Sequence, residues 1–272
     1  MKVLIALLVT LMLGVAGIAA YYFMAGGGST AASSSEAESS QSSTAAAAVR
    51  EKEKPQIQAD IVDNLVAAAK MNDDTVAWLM IPGTKINDSV LQSIDNWYYL
   101  RRNEKKSDDI YGCYFADYEC QLGEREVFAG NTVIYGHSDL KDNKEGPKFS
   151  ELFRFTELAF AEKTPYIYLT TADEKMTWQI FSVFYTDTDF NYIDVLLEPS
   201  QVKALAIDAQ RLSLYDYGVK ISGEDKLLTL STCSVKYKND GTGRFVVMAR
   251  LMPEGAPETP PVLKVNEKLK QK

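Results

Sequence analysis

Histidine and cysteine are scarce in this chain, and basic residues are fewer than acidic ones. Its 272 residues include one histidine and three cysteines, and the formal net charge is -8. Such a chain has no overall basic field to attract the phosphates of DNA or RNA, so no nucleic-acid partner is expected. The single histidine, His137, is the side chain whose unperturbed pKa allows proton exchange near neutral pH. Acid–base chemistry near neutral pH is therefore expected to depend on it.

The three cysteines, Cys113, Cys120 and Cys233, cannot all pair with one another. In an exported protein, at least one thiol therefore stays free or pairs between chains. Cys113 and Cys120 could form a disulfide, but an extended chain of this spacing covers up to about 23 Å and would have to fold back. Their pairing stays an open alternative.

The N-terminal segment, residues 1–25, is predicted to be a membrane anchor. Its run Val3–Ala25 carries no charge, and at about 1.5 Å per residue it can cross a hydrocarbon core of about 30 Å. A cleaved signal peptide is the alternative, although its apolar core usually has about 7 to 15 residues. Lys2 precedes the run and acidic residues follow it, so we expect a cytoplasmic N-terminus and a single-pass protein whose body lies outside the cell membrane.

Composition divides the remaining chain into three parts. Residues 26–55 are predicted to be a flexible stalk, because the Gly, Ser and Ala-rich stretch 26–48 lacks aromatic residues and cannot bury much apolar area. Residues 56–252 are predicted to form the folded catalytic domain, and residues 253–272 a loosely ordered tail. A helix is expected at the domain entrance, where apolar residues recur at helical spacing at Ile57, Ile61, Leu65 and Ala69.

Seven short runs rich in β-branched and aromatic residues predict strands. They are Val76–Ile81, Tyr111–Phe115, Thr132–Tyr135, Tyr166–Thr170, Thr177–Tyr185, Lys226–Ser231 and Arg244–Leu251. A helix over Glu198–Asp216 is expected between the late strands, because apolar residues follow helical spacing after Pro199. Many short strands with few helices favour a mostly β fold, a closed or nearly closed β-barrel with an N-terminal helix and one helix between late strands.

Three candidate catalytic residues lie at predicted strand ends. Cys233 closes an apolar run and is followed at once by a polar loop, the partly exposed setting that reactive thiols require. His137 follows another such run after a glycine. Arg244 begins the strand after Cys233, so an antiparallel hairpin would bring these two face to face. Arg250 shares the same face, but six residues at about 3.3 Å each place it about 20 Å further along.

Together these residue types fit one acyl-transfer mechanism. A thiolate attacks a carbonyl carbon, an imidazolium protonates the leaving amine, and a guanidinium stabilises the oxyanion. Arginine suits the last role because it stays charged and donates several hydrogen bonds in a fixed plane. With no Asp or Asn identified behind His137, the sequence predicts a site of Cys233, His137 and Arg244 rather than a papain-like triad.

These motifs resemble those of a known family. The segment Thr229–Cys233, followed by Arg244 and Phe-Val-Val, resembles the active-site signature of sortases, and Val133–His137 resembles their histidine motif, with class B as the best match. Upstream, Val76–Ile86 and Asp95–Leu100 resemble the family's first barrel strand and the substrate-side segment after it. The resemblance extends from about residue 72 to residue 251.

The resemblance implies a sortase-type β-barrel and a cysteine transpeptidase of a Gram-positive type envelope. Cys233 would be the nucleophile, His137 the general acid and base, and Arg244 the stabiliser of the oxyanion or substrate carbonyl. Such enzymes cleave a sorting-signal peptide after its Thr, here of an Asn-Pro-x-Thr type, and pass the acyl group from a thioester to an amine of a peptidoglycan precursor or pilin. Matching substrate-groove positions are Asn96, Leu100, Tyr135, Thr188, Tyr192, Ile193 and Ser231.

Two departures from the family pattern lie beside the candidate site. Ser234 stands directly after the cysteine, where some class B enzymes carry an acidic group, and the charged stretch Ser138–Ser150 suggests a differently shaped loop after His137. No calcium cluster is evident, and neither a metal nor a cofactor is expected. Two other functions stay open as alternatives: a Cys-His hydrolase of cell-wall peptides, and a non-enzymatic, surface-anchored binding module.

Overall fold

The computed structural model describes residues 61–267. The predicted anchor and stalk lie outside these residues. Residues 61–71 form the helix α1, as predicted, and it buries Ile61, Leu65 and Ala68. The buried face includes Ala68 in place of Ala69, which is exposed. Within residues 61–267, none of the helices combines the length and apolar character that a membrane span needs.

Strands dominate the described chain. In chain order they are β1 (Thr75–Met80), β2 (Asn87–Leu91), β3 (Tyr114–Ala116), β4 (Asn131–Tyr135), β5 (Tyr166–Thr170), β6 (Lys175–Asp187), β7 (Tyr215–Asp216), β8 (Leu227–Cys233), β9 (Gly243–Leu251) and β10 (Lys264–Val265). Eight of them close into a barrel in the order β1-β2-β3-β4-β8-β9-β6-β5. The predicted mostly β fold with a closed barrel is therefore confirmed.

Two strands lie outside the barrel and pair with each other. β10 is antiparallel to β7, and Leu263 beside it is buried. The tail is also held to the barrel by the hydroxyl of Tyr166, which donates to the carbonyl of Thr259 at 2.8 Å. The described part of the tail, up to residue 267, thus contains one strand that packs on the domain.

Four helical segments follow α1. They are the 3-10 segments Tyr98–Leu100 and Lys148–Thr156, and the α-helices α2 (Leu158–Lys163) and α3 (Pro199–Leu212). α3 is the helix expected between the late strands, and a capping box between Glu198 and Gln201 begins it. It ends at Leu212, before the predicted end at Asp216, because residues 215 and 216 pair as β7.

Strand directions place three strand ends at one edge of the barrel. β4 runs parallel to β8, with Tyr135 opposite Ser231, so both strands end at this edge. β8 runs antiparallel to β9, so β9 begins there. The 3-10 segment Lys148–Thr156 lies across the interior at the same edge, where the Phe153 ring packs 5.1 Å from that of Phe245.

A buried asparagine joins two of these strands to the segment after β6. The side-chain amide of Asn131, at the start of β4, donates to the carbonyls of Tyr192 and Asp194, both at 3.0 Å. Its side-chain oxygen accepts a 2.7 Å hydrogen bond from Thr229 in β8. Asn131 has no exposed surface, so all three partners depend on it for a buried hydrogen bond.

We expect Asn131→Ala to lower the free energy of unfolding by about 3 kcal/mol, because each buried polar group left unsatisfied costs about 1 to 3 kcal/mol. Urea denaturation measures this change. The matched control is Asn191→Ala, which removes one exposed hydrogen bond to Asp194 and should change stability by less than about 0.5 kcal/mol. Equal effects of the two substitutions would contradict a stabilising role of the buried amide.

Candidate active site

Cys233 and Arg244 face each other across the mouth of the β8–β9 hairpin. They are directly paired in the strand register, which confirms the predicted hairpin. The thiol of Cys233 is exposed, and Arg244 is half-buried beside it. Arg250 pairs with Leu227 at the far end of the same two strands and donates to the side chain of Gln179. Of the two arginines on this strand face, Arg244 is therefore the one beside the thiol.

The turn between Cys233 and Arg244 is closed tightly around Gly243. A Cβ atom at this position would lie 2.3 Å from the carbonyl oxygen of Ser234, closer than real Cβ atoms approach. The Nη1 group of Arg244 donates to the carbonyls of Gly241 and Gly243, each at 2.9 Å. The guanidinium is thus held against its own turn, on the residue that pairs with Cys233.

His137 lies two residues after the end of β4, at the same edge as Cys233. Two hydrogen bonds join the segments around them: Thr232 donates to the carbonyl of Gly136, and Ser138 donates to the carbonyl of Cys233, both at 2.7 Å. Gly136 cannot carry a side chain here, since a Cβ would lie 2.7 Å from the ring of Phe149. The parallel strands and these bonds bring the candidate histidine and cysteine together.

The imidazole of His137 is half-buried, and its Nε2 lies 2.8 Å from the carbonyl oxygen of Leu100. Because a carbonyl oxygen only accepts, Nε2 carries the hydrogen in this arrangement. Burial lowers the pKa of His137 below its ordinary value, and the positive charge of Arg101 acts in the same direction. The hydrogen bond with Leu100 and the negative charge of Asp109 oppose that shift in pKa.

Three of the predicted substrate-binding residues lie together near the strand end that carries Cys233: Tyr135 is half-buried, and Tyr192 and Ser231 are buried. Tyr135 pairs with Ser231 in the β4–β8 register, and the hydroxyls of Ser231 and Tyr192 are 2.8 Å apart. Burial raises the pKa of Tyr192, while its hydrogen bond with Ser231 and the charge of Arg244 lower it. Cys233 also influences this pKa, so the phenol lies within electrostatic range of both members of the hairpin pair.

A buried carboxylate that was not predicted joins Tyr135 to one further predicted substrate-binding residue, Asn96. Asp117, which directly follows β3, accepts hydrogen bonds on one oxygen from Asn96 at 2.7 Å and from the hydroxyl of Tyr135 at 2.8 Å. The side-chain oxygen of Asn96 accepts from the backbone of Tyr118 at 3.0 Å. Only the position of Asp117 directly after a buried aromatic strand could have drawn attention to it in the sequence.

The remaining predicted groove residues have different surroundings. Leu100 ends the first 3-10 segment and supplies the carbonyl that binds His137. Thr188 and Ile193 are exposed on the segment that follows β6, with Ile193 43% exposed. Within residues 61–267, no hydrogen bond joins either of these two side chains to His137, Cys233 or Arg244.

The other two cysteines are buried, and both are free. Burial raises the pKa of the Cys113 thiol, and it raises the pKa of Cys120 to about 12. Both thiols are therefore protonated near neutral pH, and Cys233 is the exposed one. Across residues 61–267, no group of three or more His, Cys, Asp and Glu side chains is arranged to hold a metal ion.

Comparison with known proteins identifies the family. A family model described as the sortase domain matches residues 79–252. Sortase B from Listeria monocytogenes is 33% identical over 197 residues, which are 72% of this chain and 77% of that protein. Sortase B from Staphylococcus aureus is 32% identical over 184 residues, which are 67% of this chain and 72% of that protein.

Solved structures are similar over the same part of the chain. A sortase B–substrate complex from Staphylococcus aureus aligns with a TM-score of 0.64 and 25% identity, over 80% of this chain and 100% of that chain. A protein similar to sortase B from Bacillus anthracis aligns with a TM-score of 0.60 and 31% identity, over 69% of this chain and 82% of that chain. The chain therefore belongs to the sortase family and is a cysteine transpeptidase of the sortase B type.

Proposed function

We propose that this sortase cleaves a sorting-signal peptide after its Thr, holds the acyl group as a thioester on Cys233, and transfers it to an amine. The main support for the proposal is that Cys233 pairs directly with Arg244 in the β8–β9 hairpin. This pair lies at the edge of the barrel where β4 ends, two residues before His137. The proposed acceptor is an amine of a peptidoglycan precursor or of a pilin. Transfer to an amine distinguishes this function from hydrolysis of cell-wall peptides.

In the first step, the thiolate of Cys233 attacks the carbonyl carbon of the Thr, and the carbonyl electron pair moves to the oxygen. Arg244 stabilises this oxyanion. Both hydrogen bonds described for the guanidinium use Nη1, so its Nε and Nη2 hydrogens are the ones we expect to reach the substrate. As the oxyanion collapses, the C–N bond breaks, His137 protonates the leaving amine, and a thioester remains.

In the second step, the acceptor amine attacks the thioester carbon. His137, now neutral, takes the proton of the amine as a general base, and the C–S bond breaks to release Cys233 as a thiolate. The product is a new amide. A lowered pKa of His137 favours the neutral ring that this step needs, whereas the first step needs the protonated ring.

We propose that Tyr135, Tyr192 and Ser231 form one wall of a peptide-binding groove, with Asn96 held beside it through Asp117. A substrate complex exists for the structurally similar Staphylococcus aureus sortase B, which supports a peptide substrate here. The hydrogen bonds to Asp117 occupy one amide hydrogen of Asn96. The other hydrogen is available to a peptide carbonyl, and we propose that Leu100, Thr188 and Ile193 complete the surface.

The family indicates an enzyme of the Gram-positive cell envelope. We propose in addition that Val3–Ala25 anchors the chain in the cell membrane as a single span, with the catalytic domain outside. The absence of charge over this run supports the anchor. In that position the thiol would meet exported proteins that carry a sorting signal, and also the amines of the growing cell wall.

We expect Cys233→Ala to abolish both the thioester and the transferred product, because nearby hydroxyls lack the nucleophilicity of a thiolate at neutral pH. Mass spectrometry after incubation with an Asn-Pro-x-Thr peptide, with and without triglycine, measures both species. Cys113→Ala is the control and should transfer near the parental rate. A thioester in Cys233→Ala would assign the nucleophile elsewhere, and mainly hydrolysed peptide at saturating triglycine would favour the hydrolase.

We expect Arg244→Ala to lower the transfer rate by about 10² to 10³, roughly 3 to 4 kcal/mol, as is typical for the loss of one oxyanion donor. Arg244→Lys should retain more activity, because it keeps the charge and loses the planar donor geometry. Iodoacetamide should still alkylate Cys233 in both. Arg250→Ala is the matched control. Parental transfer by Arg244→Ala together with failure of Arg250→Ala would disprove the assignment.

We expect the pKa of His137 to lie below its ordinary value of about 6.5. Arg101→Ala should raise this pKa, because it removes a positive charge that disfavours the imidazolium, and Asp109→Asn should lower it. NMR titration of the imidazole protons measures the pKa without assignment ambiguity, since the chain has one histidine. Shifts of the same sign in both variants would show that these charges do not act on the ring.

A further inference from the structure

The loop after His137 is joined to the segment after Cys233 by one carboxylate. Asp142 accepts hydrogen bonds from the hydroxyl of Ser234 at 2.5 Å, from the backbone N–H of Val235 at 3.0 Å, and from the backbone N–H of Lys236 at 3.0 Å. Its two oxygens therefore bind three consecutive residues that directly follow the candidate nucleophile. Ser234 is buried at this junction, with 4% of its surface exposed.

The backbone conformation of the loop orients the carboxylate of Asp142. Asp142 has a φ of 52°, a left-handed conformation that Asp and Asn tolerate better than most residues. The turn around it is fixed by Asp139, whose side chain accepts from the backbone of Lys141 at 2.9 Å and of Asn143 at 2.7 Å. Asp139 is itself tied to Ser150 at 2.8 Å. Hydrogen bonds within the loop and to Ser150 thus fix the turn that carries Asp142.

Ser138 completes the connection between the two loops. Its hydroxyl donates to the carbonyl of Cys233 at 2.7 Å, while Asp142 binds the three residues that follow. The backbone around the thiol is therefore held from the His137 loop both at the cysteine itself and just beyond it. On its other side, the N–H of Ser234 donates to the carbonyl of Gly243 at 3.0 Å, next to Arg244.

We propose that Asp142 is a positioning residue for transfer: it fixes the segment after Cys233 so that the thiol stays aligned with His137 and Arg244. This inference rests on the proposed roles of these three residues. Asp142 acts through the backbone that carries the nucleophile and takes no part in bond making. A displacement of about 1 Å between reacting groups can lower a rate about 100-fold, so the loss of these bonds has a measurable effect on turnover.

The test compares Asp142→Asn with the parent and with Glu145→Gln. Asparagine tolerates the same left-handed backbone conformation. Its NH2 group, however, stands in place of one carboxylate oxygen and cannot accept the hydrogen bonds that this oxygen accepts. Glu145 lies in the same loop, is exposed, and pairs with Arg154, so Glu145→Gln makes the same charge change away from the Cys233 segment. The substrate is a quenched fluorescent Asn-Pro-x-Thr peptide, with triglycine as acceptor and the full-length chain as enzyme.

Rates are expressed per molecule of native enzyme. Native molecules are counted by iodoacetamide labelling without denaturant: a folded chain gains one label, at Cys233, because Cys113 and Cys120 are buried. We expect Asp142→Asn to lower kcat by about 10- to 100-fold with KM for the peptide within about twofold, because the peptide-binding groove wall lies on other segments. Glu145→Gln should match the parent. Ser234→Ala removes one of the three hydrogen bonds to Asp142, and we expect a smaller fall in kcat.

Parental kcat in Asp142→Asn overturns the inference, and so does a rise in KM with kcat unchanged. If Asp142→Asn does not fold, the kcat of Ser234→Ala tests the inference instead. A parental kcat in Ser234→Ala then overturns it. Cys233→Ala is measured in parallel. Activity of Cys233→Ala refutes the proposed function itself, whereas an inactive Cys233→Ala beside a fully active Asp142→Asn refutes only the role of Asp142.

Discussion

The parallel pairing of β4 with β8 is the constraint on which the site depends. It makes two strands end at one edge of the barrel, and the antiparallel β8–β9 hairpin starts a third strand there. His137, Cys233 and Arg244 belong to these three strand ends. Because main-chain hydrogen bonds set this arrangement, the chemistry needs no long loop to reach across the molecule, and a rigid sheet determines the relative positions of the three side chains.

Hydrogen bonds of individual side chains then fix the segments that adjoin the barrel strands. Asn131 fixes the segment that carries Tyr192 against the barrel, Asp117 fixes the groove position Asn96, and Asp142 ties the two loops beyond the strand ends. Each of these residues uses buried or half-buried oxygen and nitrogen atoms to bind backbone or hydroxyl groups of another segment. Polar contacts between segments therefore determine local shape, while the hydrophobic interior holds the barrel closed.

The sequence predicted those parts that follow from local pattern. Runs of β-branched and aromatic residues identified most barrel strands, and predicted strand ends pointed to Cys233, His137 and Arg244 as the candidate site. β2 was missed because it begins with the polar residues Asn87 and Asp88, and its burial comes from barrel neighbours. The predicted strand Tyr111–Phe115 begins only at Tyr114, because the N–H of Gly112 closes a turn with Asp109.

Long-range polar contacts were beyond the reach of the sequence. Asp117 and Asp142 look like ordinary surface acids in the sequence, since the hydroxyls that they bind near the site, those of Tyr135 and Ser234, are 18 and 92 positions away. The helical segment Lys148–Thr156 was likewise missed, because its aromatic residues become buried only when the barrel mouth exists to receive them. The class B resemblance indicated that the loops beside the site depart from the family pattern, but only their conformation revealed the contact between them.

The separation of the paired strands along the chain has a consequence for how the enzyme becomes active. Thr232 and Gly136, whose hydrogen bond joins the candidate cysteine and histidine segments, are 96 residues apart. Contacts this distant in sequence form slowly, because loop closure must precede them. The segments that carry the thiol and the histidine are therefore joined only by the long-range pairing of β8 with β4. A chain in which these two strands have not paired lacks the arrangement of Cys233 and His137 on which the proposed acyl transfer depends.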